Sequence, residues 1–132
     1  MLSDINIKTR SQIEFIDITS QVQGVIDKSG IKEGICNVYV PHTTAAVTIN
    51  ENADPDVIRD IITRLNEIVP LNGNYRHTEG NSAAHIKASI IGASETVFIK
   101  DGRLVLGTWQ SIFFCEFDGP RSRRLFIKLI TQ

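Results

Sequence analysis

The chain has 132 residues, 42% of them hydrophobic and 22% charged, with a formal net charge of −1. That length fits one domain with one core, and the near-zero charge gives no electrostatic case for nucleic acid or a membrane surface as partner. No apolar run approaches the roughly 20 residues a membrane-spanning helix needs, and the first residues show no basic segment followed by an apolar one, so no secretory signal is expected.

Residues 4–10 and 12–19 read as strands, the second with a register break at Phe15 and Ile16. Thr19 or Ser20 then caps a short helix whose Val22, Val25 and Ile26 share a face, and Gly30 ends it. A strand over 35–40 stops at Pro41, which has no N–H to give to a ladder. A further strand over 45–50 leaves His42, Thr43 and Thr44 in a short loop held at both ends, a place where a rigid sheet can carry a site. Asp54 before Pro55 starts a helix that runs to about Ile68. Val57, Ile58, Ile61, Ile62 and Leu65 form its apolar stripe. Asp54 and Asp56 are then structural, while Glu51 and Asn52, just ahead of the cap, are freer for chemistry.

Residues 70–80 form the longest loop, and loops of that length in a small domain are usually functional or mobile. A short helix over 86–91 follows, with Asn81 or Ser82 as N-cap, Ala83, Ile86 and Ile90 on one face, and Gly92 as stop. Asp101 and Gly102 form a two-residue hairpin turn between strands 95–100 and 103–106. The strand over 109–117 is apolar on both faces and hence central, with Gln110, Ile112, Phe114 and Glu116 on one side. After the Asp118–Pro120 turn, the last strand covers 125–130, and Arg121, Arg123 and Arg124 cluster ahead of it. Planar guanidinium groups suit phosphate; Arg123 and Arg124 read rather as a solvated cluster. The element order β-β-α-β-β-α-α-β-β-β-β is expected to give an α+β fold, a mainly antiparallel, sandwich-like core with two to three covering helices. Cys36 and Cys115, far apart in apolar runs and without a CxxC spacing, read as reduced core thiols of a cytoplasmic protein.

All three histidines, His42, His77 and His85, lie in loops or at element ends. Neutral imidazoles suit a metal or a proton transfer, and three of them with an open position make a catalytic metal pattern. Their spacing matches no standard short metal motif. The helix start near Asn81 and Ser82 offers free backbone N–H groups to a phosphate or carboxylate, and Arg121, fixed after a Gly-Pro turn, is the arginine best placed to share it. There is no P-loop, no dinucleotide-binding glycine pattern and no Gly-x-Ser-x-Gly elbow.

Three stretches resemble signatures of the YjbQ-like family: Pro41-His-Thr-Thr-Ala-Ala-Val-Thr-Ile-Asn-Glu-Asn-Ala-Asp-Pro-Asp-Val57, His77-Thr-Glu-Gly-Asn-Ser-Ala-Ala-His-Ile-Lys-Ala-Ser-Ile-Ile-Gly92, and Gly102–Gln110 with Phe113–Arg121. The likeness spans essentially the whole chain. Leu71 stands where members often carry an aromatic, and Ser111 where many carry glycine. The resemblance implies an α+β sandwich, a homotrimer, metal binding, and a weak, secondary thiamine phosphate synthase activity. That reaction joins a pyrimidine pyrophosphate to a thiazole phosphate and releases pyrophosphate. On this reading His42, His77 and His85 hold a divalent metal, with zinc or another transition metal favoured by imidazole and magnesium the alternative for pyrophosphate. Asn81, Ser82 and Arg121 bind phosphate, Thr43, Thr44 and Asn52 orient the ligand, and Glu51 or Glu116 is the base or a carboxylate supporting the metal. The competing readings are a non-catalytic metal- or phosphate-ligand-binding trimer and a metal-assisted hydrolase of a small phosphorylated metabolite. For the trimer, Trp109, the aromatic run through Phe117 and the apolar last strand are the surface expected between subunits.

Overall fold

The computed structural model describes residues 2–131. Its elements follow the order read from the sequence: β1 (Leu2–Lys8), β2 (Glu14–Asp17), α1 (Thr19–Ser29), β3 (Gly34–Tyr39), β4 (Ala45–Glu51), α2 (Pro55–Ile68), α3 (Ser82–Ile91), β5 (Ser94–Lys100), β6 (Arg103–Leu104), β7 (Gln110–Glu116) and β8 (Ser122–Ile130). A five-stranded sheet runs β1-β8-β3-β5-β6 and a three-stranded sheet runs β2-β7-β4. Every pairing is antiparallel, so the fold is α+β as expected.

The main core lies between the two sheets. Period-two alternation aims Cys36 and Val38 of β3, Val97 and Ile99 of β5, and Leu125 and Ile127 of β8 at Val47 of β4 and Ile112 and Phe114 of β7. Val22 and Ile26 of α1 seal that layer. The other face of the three-stranded sheet is not left to water. Ala46, Phe113, Cys115 and Phe117 pack there against Ala84 and Ala88 of α3, with Ile58 and Leu65 of α2 at the margin. This second layer is why β7 carries apolar residues on both faces, and why it is the middle strand of its sheet. Cys36 and Cys115 are both buried and free; burial pushes the Cys36 thiol up to about 11.

Local chemistry explains most element ends. The Asp54 carboxylate accepts from the Asp56 N–H at 2.9 Å, and Pro55 opens α2. Asp101 (φ 52°) and Gly102 (φ 74°) both take positive φ, the geometry a two-residue hairpin of matching twist requires. Other ends depart from expectation. The first strand is Leu2–Lys8 rather than 4–10; at the next pair the Thr9 N–H still reaches the Arg121 carbonyl, but the Arg121 N–H donates to the Thr9 hydroxyl (2.8 Å) and the ladder ends. The second shortens to Glu14–Asp17. Thr19 does not cap α1 but is its first residue; Ile18 holds the cap position without a side-chain bond. The Thr19 hydroxyl instead accepts from the Ile112 N–H at 2.9 Å.

Two larger expectations are overturned. In α3 the buried face is Ala83, Ala84, Lys87 and Ala88, while Ile86 and Ile90 point to solvent. The small methyls let the helix approach the sheet closely, which branched side chains would prevent. The surface of which a part was expected between subunits is largely spent inside the chain: Phe113, Phe114 and Phe117 are buried in its own two cores, as are Leu125 and Ile127, leaving Trp109 and Ile130 outside.

Candidate functional site

The chain crosses from one sheet to the other between Tyr39 and Ala45. The end of α3 is tied to this crossing: the Val40 N–H donates to the Ala93 carbonyl (2.8 Å) and the Val47 N–H to the Gly92 carbonyl (3.1 Å). Between them opens a hollow of about 520 Å³ lined by His42, Thr43, His85 and Ser89, with Ala45, Ala88, Gly92 and Ala93 as its apolar wall. A second hollow of about 470 Å³ also borders His85, bounded by Asn74, Tyr75, Arg76, His77, Ser82 and Ile86. Both volumes suit a small molecule. His85 borders the two, and the His77 ring stands edge-on to it with centroids 5.5 Å apart.

His42 is held by a gap in the five-stranded sheet. β3 pairs with β8 from Ile35↔Ile130 to Tyr39↔Phe126 and then leaves. Two residues further in that register, Pro41 would have faced Arg124. The His42 imidazole takes that place instead, its Nε2 accepting from the Arg124 N–H at 2.9 Å. A ring nitrogen that accepts carries no proton, so a neutral His42 has its proton on Nδ1. Burial, then the charge of Arg123, holds its pKa below the ordinary imidazole range, against smaller opposing pulls from the backbone bond to Arg124 and from Glu116.

This arrangement does not fit the expected three-histidine metal centre. With Nε2 bonded to an N–H and Nδ1 protonated, His42 has no lone pair for an ion. Among the described residues no group of three His, Cys, Asp or Glu side chains is placed to hold one. His77 and His85 remain as a pair.

Glu116 is not a base. It is fully buried against the nearly buried Arg123 (0% and 3% exposed side chains). Oε1 accepts from Arg123 Nε (2.9 Å) and the Thr9 hydroxyl (2.7 Å), and Oε2 from Arg123 Nη2 and the Asp118 N–H (3.0 Å). Burial alone would raise its pKa, but these bonds and the Arg123 charge together hold it below the usual carboxylate range. Arg123 Nη2 also donates to the Thr44 hydroxyl at 2.8 Å. Thr44 is thus a buried acceptor for Arg123, while Thr43 stays exposed on the hollow. Arg123, read from sequence as solvated, is the residue most clearly missed. Its signal was present: it shares the alternation of Leu125 and Ile127, the inward face of β8. Arg124 is exposed as expected and pairs with Asp4 (Nε–Oδ2 3.1 Å).

Arg121 and Asn81 do come together, around a carboxylate of the chain itself. Asp118 Oδ2 accepts from Asn81 Nδ2 (2.9 Å) and Arg121 Nη2 (3.0 Å), and the Asp118 carbonyl accepts from Arg121 Nε (2.9 Å). Asn81 therefore occupies the cap position of α3 without capping it. Asn81 Oδ1 and Ser82 Oγ are buried without a partner among the described residues. Glu51 and Asn52 lie elsewhere. Ala45 pairs with Glu116 at one end of β4 and Glu51 with Gln110 at the other, about 20 Å away at strand rise. Asn52 there donates to Asp17 Oδ2 at 2.6 Å. Neither is part of the histidine site. Lys87, buried on α3 and bonded to Asn66 Oδ1, was also not singled out from sequence, although helical spacing puts it one turn from Ala83.

Comparison with known proteins agrees with this architecture. The model of the family described as UPF0047 protein YjbQ-like matches residues 3–132. The chain is 55% identical to a UPF0047 protein of Methanocaldococcus jannaschii, covering 98% of this chain and 94% of that protein. It is 52% identical to YugU of Bacillus subtilis, covering 98% and 99%. Among solved structures, a YjbQ/UPF0047 protein of Clostridium acetobutylicum superposes with a TM-score of 0.95 at 53% identity, over 97% of this chain and 99% of that one. A YjbQ-like protein of Sulfolobus solfataricus gives 0.95 at 38% identity, over 100% and 97%. With residues 3–132 matched by the family model and relatives 55% and 52% identical over 98% of its length, the chain belongs to the YjbQ-like UPF0047 family.

Proposed function

We propose that the chain is an enzyme of small phosphorylated metabolites with a weak thiamine phosphate synthase activity, joining a pyrimidine pyrophosphate to a thiazole phosphate with release of pyrophosphate. The observation that carries this reading is the pair of hollows meeting at His85. A reaction that joins two molecules needs two adjoining places, and one group bordering both can serve the point of joining. In the first hollow a neutral His42 donates a hydrogen bond through Nδ1 to the departing pyrophosphate, where charge develops. Thr43 and Ser89 orient the same ligand. Magnesium arriving with the pyrophosphate suits this reading better than zinc at the histidines, since His42 has no free lone pair. The chain works as a cytoplasmic homotrimer. The aromatic strand β7 is not the contact surface; the outward row of Ile35, Phe98, Val105 and Ile130 is a better one.

The test is turnover of the pyrimidine pyrophosphate with and without the thiazole phosphate. Coupled product is expected only with acceptor present and is lost in His85→Ala. Pyrophosphate release without acceptor would make the protein a hydrolase. No turnover, with binding intact, would make it a ligand-binding protein, a reading favoured by Asp118 already occupying Arg121. Sedimentation at micromolar concentration tests the trimer; a monomer removes it.

A further inference from the structure

The buried pair of Glu116 and Arg123 touches neither hollow, yet it is tied to the histidine loop twice. Arg123 Nη2 bonds the Thr44 hydroxyl at 2.8 Å and reaches the Thr44 carbonyl at 3.3 Å. The next residue along the strand, Arg124, supplies the N–H that His42 Nε2 accepts. Strand alternation makes these two roles inseparable. When the side chain of Arg123 points between the sheets, the neighbouring peptide N–H points along the sheet, into the gap that β3 leaves beyond Tyr39. Thr44 fixes the end of the β3–β4 crossing and the Arg124 N–H holds the His42 ring within it.

We propose that Arg123 is a positioning residue that selects the tautomer of His42: by holding Thr44 and the register of β8, it keeps the Arg124 N–H on Nε2 and so leaves Nδ1–H as the only ring donor at the hollow. Free histidine prefers the opposite tautomer, with the proton on Nε2, so the preference must come from the protein. The charged groups around the ring are Arg123, Arg121 and Glu116, with Arg124 on the adjoining peptide. Burial and the charges of Arg123 and Arg121 disfavour an imidazolium, against the opposing pull of the backbone bond to Arg124 and of Glu116, and the Arg124 guanidinium is itself paired with Asp4; the balance keeps the ring in the neutral state where tautomers matter. The consequence for chemistry is directional. His42 can give a hydrogen bond to an anionic ligand but cannot take a proton from one, because its acceptor nitrogen faces the backbone. This deepens the proposed function, and it assigns His42 the part of an anion donor rather than a base or a metal ligand.

The test reads the ring nitrogens and needs no substrate. In nitrogen-15 NMR spectra near neutral pH, with His42 assigned by difference against His42→Gln, wild type is expected to show a protonated Nδ1 and an unprotonated Nε2. In Arg123→Lys, which keeps the charge opposite Glu116 but loses the fork, and in Thr44→Val, which removes only the hydroxyl, the Nε2–H form should rise at least threefold. Circular dichroism and urea unfolding establish that each variant is folded. A wild-type His42 protonated on Nε2 would overturn the proposal, whatever the variants do. So would an unchanged tautomer ratio in Thr44→Val or in a folded Arg123→Lys; if Arg123→Lys does not fold, Thr44→Val alone decides. The expected tautomers without synthase turnover would uphold this inference and count against the proposed reaction only.

Discussion

Two carboxylate–guanidinium pairs are nested around one turn. Glu116 and Arg123 form the outer pair and Asp118 and Arg121 the inner one, flanking Gly119 and Pro120. The chemistry is the same and the surroundings are opposite. The outer side chains are 0% and 3% exposed, the inner ones 23% and 49%. The turn itself forces the split. A Cβ on Gly119 would stand 2.4 Å from the Ser11 carbonyl oxygen, so the chain passes there as bare backbone. The strands leaving it belong to different sheets. Residues that alternate inward on β7 and β8 meet between the sheets, and residues of the turn meet water. The lesson concerns what each pair can do. A buried pair with every lone pair satisfied cannot change partners without leaving a charge stranded. The exposed pair has little to lose, so Arg121 can exchange Asp118 for a ligand phosphate.

The comparison breaks most visibly if the buried pair is cut. Arg123→Ala strands the Glu116 carboxylate and should cost about 3–5 kcal/mol in urea unfolding. The double replacement Glu116→Leu with Arg123→Met should cost clearly less than Arg123→Ala alone. Equal losses would mean that the pair is not a unit. A middle effect is expected from acid. Glu116 has its pKa lowered in the folded chain, so below the ordinary carboxylate value of about 4.3 the unfolded chain binds a proton that the folded chain refuses. Its contribution is therefore complete above that value and is lost as pH falls through the lower, folded pKa. Unfolding measured down a pH series should show this extra acid slope in wild type and not in Glu116→Gln. The smallest effect belongs to the exposed pair. Arg121→Ala should change stability by only about 0–1 kcal/mol. Asp118→Asn should raise the affinity for inorganic phosphate by calorimetry, because the guanidinium is then released; unchanged affinity would mean that Arg121 is no anion site.

How far the sequence carried follows from the same contrast. Element order, the Asp54 cap, the Asp101–Gly102 hairpin and the centrality of β7 rest on short-range patterns, and those were legible. The placement of charged groups was not. Arg123 looked solvated because its strand was read as starting at Leu125; beginning at Ser122, the same alternation turns it inward. Glu51 looked available for chemistry because it precedes a helix cap. Only the pairing of β4 with β7 shows that it sits at the wrong end of its strand. His42 was read as a ligand from its residue type, its place at an element end and the family resemblance, and what removes that role is a backbone N–H 82 residues away in sequence. Sequence spacing brought His77 and His85 under suspicion together, and they do meet; it could not show which nitrogen of His42 was spoken for.

The alanine face of α3 fixes the standing height of the catalytic candidate. Ala84 and Ala88 rest on the sheet residues Ala46, Phe113 and Cys115, and His85 rides on the same helix. Methyl groups here act as shims: they set the thickness of the layer between imidazole and sheet, and nothing in them is chemical. Enlarging either by one carbon would lift the helix or tilt it, moving His85 relative to the crossing that carries His42 while leaving both rings intact. The geometry of the histidine site can thus be retuned from below, through Ala84, which lines neither hollow, as well as through the Ala88 wall.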